Sequence, residues 1–494
     1  MKSKLQQFVL LPARGTSGAI SQTKNSKNFL LDLHAALSTK RVMSFGPPKH
    51  ASGMRVLDSI HEDGAKLIEI EPESLAQLRA TQPGVRIVPL TWYFPMRRHQ
   101  FQIETKLKTA AVSTGTRVQI VSQTDGSPVP DATVVAFVDF EGRTGAKGTT
   151  NSSGYATLKL SGGARKLQRL YVYPQSGFWG MLRKNITLAA DGIFKLTPVD
   201  LGFQDVLKNC YGAPGLTEGG GVTVGVVDTG IGPHPNLTVA GGINTVTGED
   251  PNDFADSGAQ HGTHVAGIIA GRGSEPTGMR GMAPAVNLRS YRVFGKGVEG
   301  ASNFAIAKAV DRAAADGCDL INMSLGGGTA DAATSEAISA ARAQGTLVLV
   351  ATGNDGRQPV SFPASLSDSF AISALGRKGT FPPGTPEADD VRAPFGKDKS
   401  NFVASFSNIG PEVDLIAPGV GIISTVPGGY APMSGTSMAC PAATGVAARL
   451  LAQAPQIMNM PRNADRAEAI AKLLAQHAKS MGFTSLYEGQ GMLF

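Results

Sequence analysis

Cysteine is scarce in this chain. Cys210, Cys318 and Cys440 are the only three, an odd and widely spaced set that needs no disulfide framework. Charge is also thin, with Asp, Glu, Lys and Arg making up 17% of the residues against 41% hydrophobic. That balance excludes a disordered chain, a coiled coil and a nucleic-acid-binding tail. No stretch reaches the ~18 consecutive apolar residues of a membrane-spanning helix. The basic start, MKSKLQQFVLLPARG, is followed only by a short apolar run at residues 8–11, well below the ~7–15 residues of a secretory core. No signal peptide is read there. The location is left open between the cytoplasm and export by a non-standard route, and residues 8–11 are expected to form a short buried strand. Lys and Arg never run longer than two in a row and are not interleaved with aromatics, which argues against a nucleic-acid partner.

What is present is length and turn chemistry. The 494 residues include 60 Gly and 30 Pro, enough for two or three domains with sizeable cores. The net charge of +7 is unevenly spread. Residues 1–108 carry 16 basic and 8 acidic side chains, residues 109–200 carry 10 and 6, and residues 201–494 carry 20 and 25. A basic front and an acidic back would favour docking of one on the other.

Residues 6–93 read as strand, helix, strand, strand, helix, strand. Phe29, Leu30, Leu33 and Leu37 share a helical face, His61-Glu62-Asp63-Gly64 is a hairpin turn, and Glu71-Pro72-Glu73-Ser74 opens a helix with acids in its first turn. This order is that of a ferredoxin-like α+β unit, assigned to residues 1–107. Residues 108–199 change character, with short β-rich runs at 117–121, 132–140, 155–160, 170–173 and 185–189 separated by turn residues. They read as a small β-sandwich. From residue 200 the chain alternates strands and helices: strands at 222–227, 287–293, 319–324, 346–351 and 370–374, and helices at 261–270, 301–315, 331–344, 436–452 and 462–479. Such alternation means an α/β, doubly wound parallel sheet with its site at the strand C-termini. The polar, Pro-rich stretch 376–401 reads as a surface loop.

Three segments of the last domain carry chemistry. Asp228 follows the buried strand in Val226-Val227-Asp228-Thr229-Gly230, His261 opens a helix in His261-Gly262-Thr263-His264-Val265, and Ser437 opens another in Gly435-Thr436-Ser437-Met438-Ala439. Singly, these are a turn Asp, a structural His and an ordinary N-cap Ser. Together, in that chain order on an α/β frame, they match the order of the subtilisin triad. His264, three residues after His261, lacks the intervening Glu of a zinc pattern and reads as structural. Cys440 reads as a small buried packing residue.

Residues 200–494 resemble the subtilisin-like serine proteases, the subtilase family, over nearly their whole length. Asn322-Met323-Ser324-Leu325-Gly326-Gly327, Ala351-Thr352-Gly353-Asn354, and the stretch from Phe406-Ser407-Asn408-Ile409-Gly410 to Ile416-Ala417-Pro418-Gly419-Val420 carry the resemblance along with the three motifs. It implies a serine endopeptidase acting through an acyl-enzyme, with Ser437 as nucleophile, His261 as base, Asp228 holding the imidazole, and Asn354 as a donor to the oxyanion. It also implies that residues 1–107 are an inhibitory propeptide, so the enzyme is a self-inhibited zymogen whose residues 90–99 lie across the cleft. A cut near residues 97–108 would leave the β module on the mature enzyme, and one near 200 would remove it; the first is preferred. The module departs from the simplest members and resembles the immunoglobulin-like accessory modules of bacterial surface proteins.

By the same resemblance, Ser324, Leu325 and Gly326 would pair a protein or peptide substrate as an added strand, Val298 and Gly300 would form the opposite edge beside Glu299, and Ser361 would lie near the floor of the main specificity pocket. A small uncharged floor suggests a medium or large apolar side chain, and Glu299 a basic one elsewhere along the peptide. No cofactor is required. The family's calcium is unsupported here, because the matching ligand is Asn236 and the loop at 271–278 is short of carboxylates. The competing reading is a catalytically silent peptide-binding scaffold.

Overall fold

The computed structural model describes residues 5–12, 24–39, 43–45, 52–96, 107–108, 113–161, 164–189 and 191–494. The front region is a sheet ordered Met43–Phe45, Ser52–Ser59, Lys66–Ile70, Gln6–Pro12, Val85–Pro89, antiparallel throughout. Among the described residues it carries helices Lys24–Thr39 and Pro72–Thr81. The apolar run at 8–11 lies in a strand covered on both faces. Leu10 packs with Phe29, Leu30 and Leu33 in the region's own core. Val9 and Leu11 join a cluster that belongs to the last region of the chain. Alternate residues of a strand face opposite ways, and two covered faces explain why the run is continuously apolar.

The middle region has two sheets. One is Tyr155–Ser161, Ser113–Ser122 and Gly192–Leu196; the other is Met181–Thr187, Lys166–Tyr173, Thr133–Asp139 and Thr144–Thr149. Val118, Ile120 and Leu158 from the first meet Val134, Ala136, Leu170 and Val172 from the second in one core. Strands Thr144–Thr149 and Gly192–Leu196 were not expected; each is short and Gly-containing, which weakens the alternation that marks a strand.

The last region is a parallel sheet ordered Gly241–Asn244, Asn287–Arg292, Thr223–Asp228, Leu320–Met323, Leu347–Ala351, Ser369–Arg377, with Val413–Pro418 parallel and Asn401–Val403 antiparallel to the last strand. Helices cover both faces. Val224, Val226, Leu320, Leu347 and Leu349 face helices His261–Ala270 and Thr436–Ala452. Val227, Ile321, Val348 and Val350 face helices Asn303–Ala315 and Ala332–Ala343.

Two sequence expectations change. Residues 301–315 are not one helix: Ala301–Ser302 is a strand, and the helix starts at Asn303 with the Ser302 side chain as its cap. Residues 376–401 are only in part a surface loop. Thr380, Thr385, Glu387 and Asp390 are buried, because the stretch is wedged against the middle region. Leu182 N–H donates to the Gly384 carbonyl at 2.8 Å, and Asp389 takes Arg169 at 3.0 Å and Lys184 at 2.5 Å. Its composition was that of a loop; the partner that buries it lies some 200 residues upstream and leaves no local trace.

Candidate active site

Strand Thr223–Asp228 ends on Asp228 and helix His261–Ala270 begins on His261, so both side chains emerge at the carboxyl end of the sheet, where open α/β folds place their sites. His261 Nδ1–H donates to Asp228 Oδ1 at 2.7 Å, and both side chains are fully buried. The same Asp228 oxygen accepts Thr229 N–H at 2.7 Å. Thr229 Oγ1 in turn accepts Gly262 N–H at 2.8 Å, which fastens the start of the helix to the end of the strand. With Nδ1 committed to the carboxylate, the neutral ring presents Nε2 as an acceptor. That atom is buried without a hydrogen-bond partner among the described residues.

Ser437 occupies the first turn of helix Thr436–Ala452. Its hydroxyl donates to the Ser324 carbonyl at 2.9 Å. Its backbone N–H donates to the carbonyl of Met96 at 3.1 Å. The helix N-terminus adds a positive dipole at that carbonyl. Behind it runs a buried polar chain. Ser324 Oγ donates to the Ser437 carbonyl at 3.0 Å, Asn322 donates to Ser324 Oγ at 2.9 Å, and Thr444 donates to Asn322 Oδ1 at 3.1 Å. Asn354 is also held by the helix start. Its Oδ1 accepts the Thr436 N–H at 2.9 Å and the Thr436 hydroxyl at 3.0 Å, fixing the plane of the amide.

The chain itself lies across this site. Strand Trp92–Pro95 is sandwiched antiparallel between two short edges, with Pro95 opposite Leu325, Phe94 opposite Gly326, Tyr93 opposite Ala301 and Trp92 opposite Ser302. Met96 N–H donates to the Ser324 carbonyl at 3.0 Å. The Met96 Cε would come within 2.7 Å of a Cβ on Gly326, so a side chain there would have to displace the end of Met96.

Ser324, Leu325 and Gly326 therefore form one edge. The other edge differs from the expectation: Ala301 and Ser302 make the pairing, not Val298 and Gly300. Gly300 lies alongside, where a Cβ would meet Trp92 at 3.3 Å and Phe94 at 3.5 Å. Val298 and Glu299 line a cavity of about 350 Å³ next to Phe94 and Pro95. Ser361 Oγ donates to the Thr352 carbonyl at 2.8 Å and accepts from Asn408 at 3.2 Å. This tie requires Gly353, at φ 112°, where any Cβ would strike the Ser361 hydroxyl. The following carbonyl, of Phe362, accepts Gly327 N–H at 3.0 Å.

His264 Nε2 lies 3.1 Å from the Ile422 carbonyl and 2.9 Å from that of Ala431, a structural tie to the hairpin Ile422–Val426/Gly429–Met433. Burial pushes the Cys440 thiol well above its ordinary range, so it supplies no thiolate nucleophile at neutral pH. Thr229, Asn322 and Thr436 stood in the sequence motifs without a role, and Thr444 was not singled out. A hydroxyl or amide gains meaning only once its partner is known.

The sequence model of the Subtilase family matches residues 219–492. Subtilisin BL of Lederbergia lenta is 36% identical over 280 residues, covering 56% of this chain and 90% of the relative. Subtilisin DY of Bacillus licheniformis is 34% identical over 282 residues, covering 56% and 90%. An alkaline protease of Shouchella clausii is 36% identical over 280 residues, covering 56% and 64%. With more than half of the chain matched on the frame that carries Asp228, His261 and Ser437, the chain belongs to the subtilase family and is a subtilisin-like serine endopeptidase.

Proposed function

We propose that Ser437, His261 and Asp228 act as nucleophile, base and orienting carboxylate, and that the bond this chain presents to them is its own Met96–Arg97 peptide. The observation that carries this reading is the Met96 carbonyl on the Ser437 N–H, at 3.1 Å, with strand Trp92–Pro95 paired on both sides. For the reaction the Ser437 hydroxyl must leave the Ser324 carbonyl and turn to His261 Nε2. The oxygen attacks the substrate carbonyl carbon as its proton passes to Nε2, and Asp228 stabilises the imidazolium. The Ser437 N–H and the Asn354 amide donate to the oxyanion, each such donor typically worth ~10²–10³ in turnover. The tetrahedral intermediate collapses with the Nε2 proton going to the leaving amine. Water, deprotonated by the same imidazole, then releases the acyl group.

In this reading residues 1–96 are a ferredoxin-like propeptide unit that inhibits by occupying the cleft, and residues 108–199 are an immunoglobulin-like module that stays on the mature enzyme. The chemistry asks for no cofactor. The calcium loop of the family does not suit calcium in this chain: Asn236 Oδ1 accepts from Tyr430 at 2.6 Å and from Met279 N–H at 3.2 Å, while Arg280 donates to the Gly273 and Pro214 carbonyls, each at 2.8 Å. Donors, one of them cationic, satisfy oxygens that a calcium ion would need.

Intact-mass analysis and a fluorophosphonate probe test the assignment. Wild type should yield a fragment ending at Met96 and should label. Ser437→Ala should stay full-length and unlabelled, with peptide hydrolysis down by roughly 10⁴-fold or more. Identical processing of the Ala variant in a protease-free host would remove self-cleavage, and labelling that survives the substitution would remove Ser437 as nucleophile.

A further inference from the structure

We propose that Asp331 makes the pocket four residues upstream of the cut bond selective for tyrosine, not merely for an apolar side chain. This inference rests on the endopeptidase reading of the cleft and names a substrate preference for it. Side chains of strand Trp92–Pro95 alternate. Trp92 and Phe94 are 46% and 41% exposed, whereas Tyr93 is fully buried, so Tyr93 is the one of the three whose identity the enzyme inspects closely. Its ring packs with Ala301, Phe304, Leu325 and Phe362, the last at 5.7 Å between centroids. Those contacts would accept phenylalanine equally well.

The far end of the pocket is polar. The Tyr93 hydroxyl donates to Asp331 Oδ2 at 2.5 Å and approaches the Thr329 carbonyl at 2.8 Å. Asp331 is itself buried. Its other oxygen, Oδ1, is committed to the Thr334 N–H at 2.9 Å, as the cap of helix Ala332–Ala343, and to Asn303 at 3.2 Å. The carboxylate is thus held by the fold with Oδ2 aimed at the phenol. Phenylalanine in this place would bury Oδ2 without the donor that satisfies it. A site built to bind a hydroxyl rejects the analogue lacking it far more strongly than an apolar pocket rejects an extra group, and the donor here meets a charged acceptor. An acidic side chain at the same place would meet like charge.

The test uses processed wild-type enzyme and two peptides, Trp-Tyr-Phe-Pro-Met-Arg and the same sequence with Phe for Tyr, in direct competition. We expect kcat/KM to favour the Tyr peptide by on the order of 10–100-fold. In Asp331→Asn, which keeps an oxygen for the Thr334 cap, that ratio should fall several-fold, the Tyr peptide losing rate and the Phe peptide gaining it as the unpaired charge is removed. A circular dichroism spectrum matching that of wild type is the control for folding. A wild-type ratio near one, or the same ratio in wild type and variant, overturns the inference. If neither peptide is cut, the endopeptidase reading fails instead. The pocket is then judged by equilibrium binding of the two peptides to the same preparation: tighter binding of the Tyr peptide sustains it, and equal binding sinks it.

Discussion

The front and middle regions meet the catalytic domain in opposite ways. The front sheet closes only one face with its own helices, through Leu10, Met54, Ile68 and Ile70. Val9, Leu11 and Leu67 on the other face are covered by the catalytic helices. Around that seam lie ion pairs of both senses, Arg86 with Glu336 and Lys308 with Asp58, so the basic-front, acidic-back split of the sequence does not translate into a one-way electrostatic seam. The middle region, by contrast, closes its own core between two sheets and sends one large side chain outward. Trp179 is 1% exposed among Leu201, Phe203, Ile423 and Tyr430, with its ring 5.5 Å from that of Phe203. Under the proposed self-cleavage, a unit that lends a face and fills the cleft would leave, and one that is complete in itself and anchored by a buried indole would stay.

Trp179→Ala gives the sharpest test of that contrast. It should cost about 3–5 kcal/mol of stability, as emptying a large aromatic site does, and should lower the unfolding midpoint of the processed enzyme. An unchanged midpoint would make the middle region a passive attachment.

Asp205 reports on the same anchor more gently. Its carboxylate caps helix Val206–Tyr211 and accepts Ile423 N–H at 2.9 Å, and burial pushes its pKa up to about 6. A carboxyl raised in the folded state favours folding while it is protonated. Its contribution is therefore complete below the unfolded value and is lost as pH rises through about 6. Between pH ~4 and ~6, wild type should lose on the order of 1–3 kcal/mol that Asp205→Asn does not lose, measured as the difference between their denaturation curves. Parallel curves would show that Asp205 carries no such burden.

The smallest effect is expected at the front seam. Arg86 holds Glu336 through two bonds of 2.5 and 2.7 Å, but its side chain is a third exposed. Arg86→Ala should weaken retention of the cut front unit by about 1 kcal/mol or less, and less still at high salt. A loss of retention many times larger would mean that the seam is held by charge and not by the apolar sheet face.

Legibility followed range. Helices His261–Ala270 and Thr436–Ala452 were readable to the residue, since each opens on a motif and continues in apolar or small residues. Parallel strands were readable because burial on both faces leaves β-branched runs such as that of Thr223–Asp228. Residues 376–401 were partly misread because a buried loop and an exposed one share the same composition. The partner edge was placed at Val298 and Gly300 instead of Ala301 and Ser302, because the register of a two-residue strand is set by the chain it pairs with.

The sequence alone determined which chemical groups exist, in what order, and on what kind of frame: a carboxylate after a strand, an imidazole and a hydroxyl at helix starts, and an alternation that can only wind a parallel sheet. Those properties are local, written within a few residues of each other. The tertiary structure decided what faces what. Met96 comes to rest on the Ser437 amide, Tyr93 reaches Asp331 across 238 positions of chain, and Trp179 fills a gap between distant segments. Such pairings depend on close packing of surfaces far apart in sequence, and no local pattern encodes which surface will supply the complement.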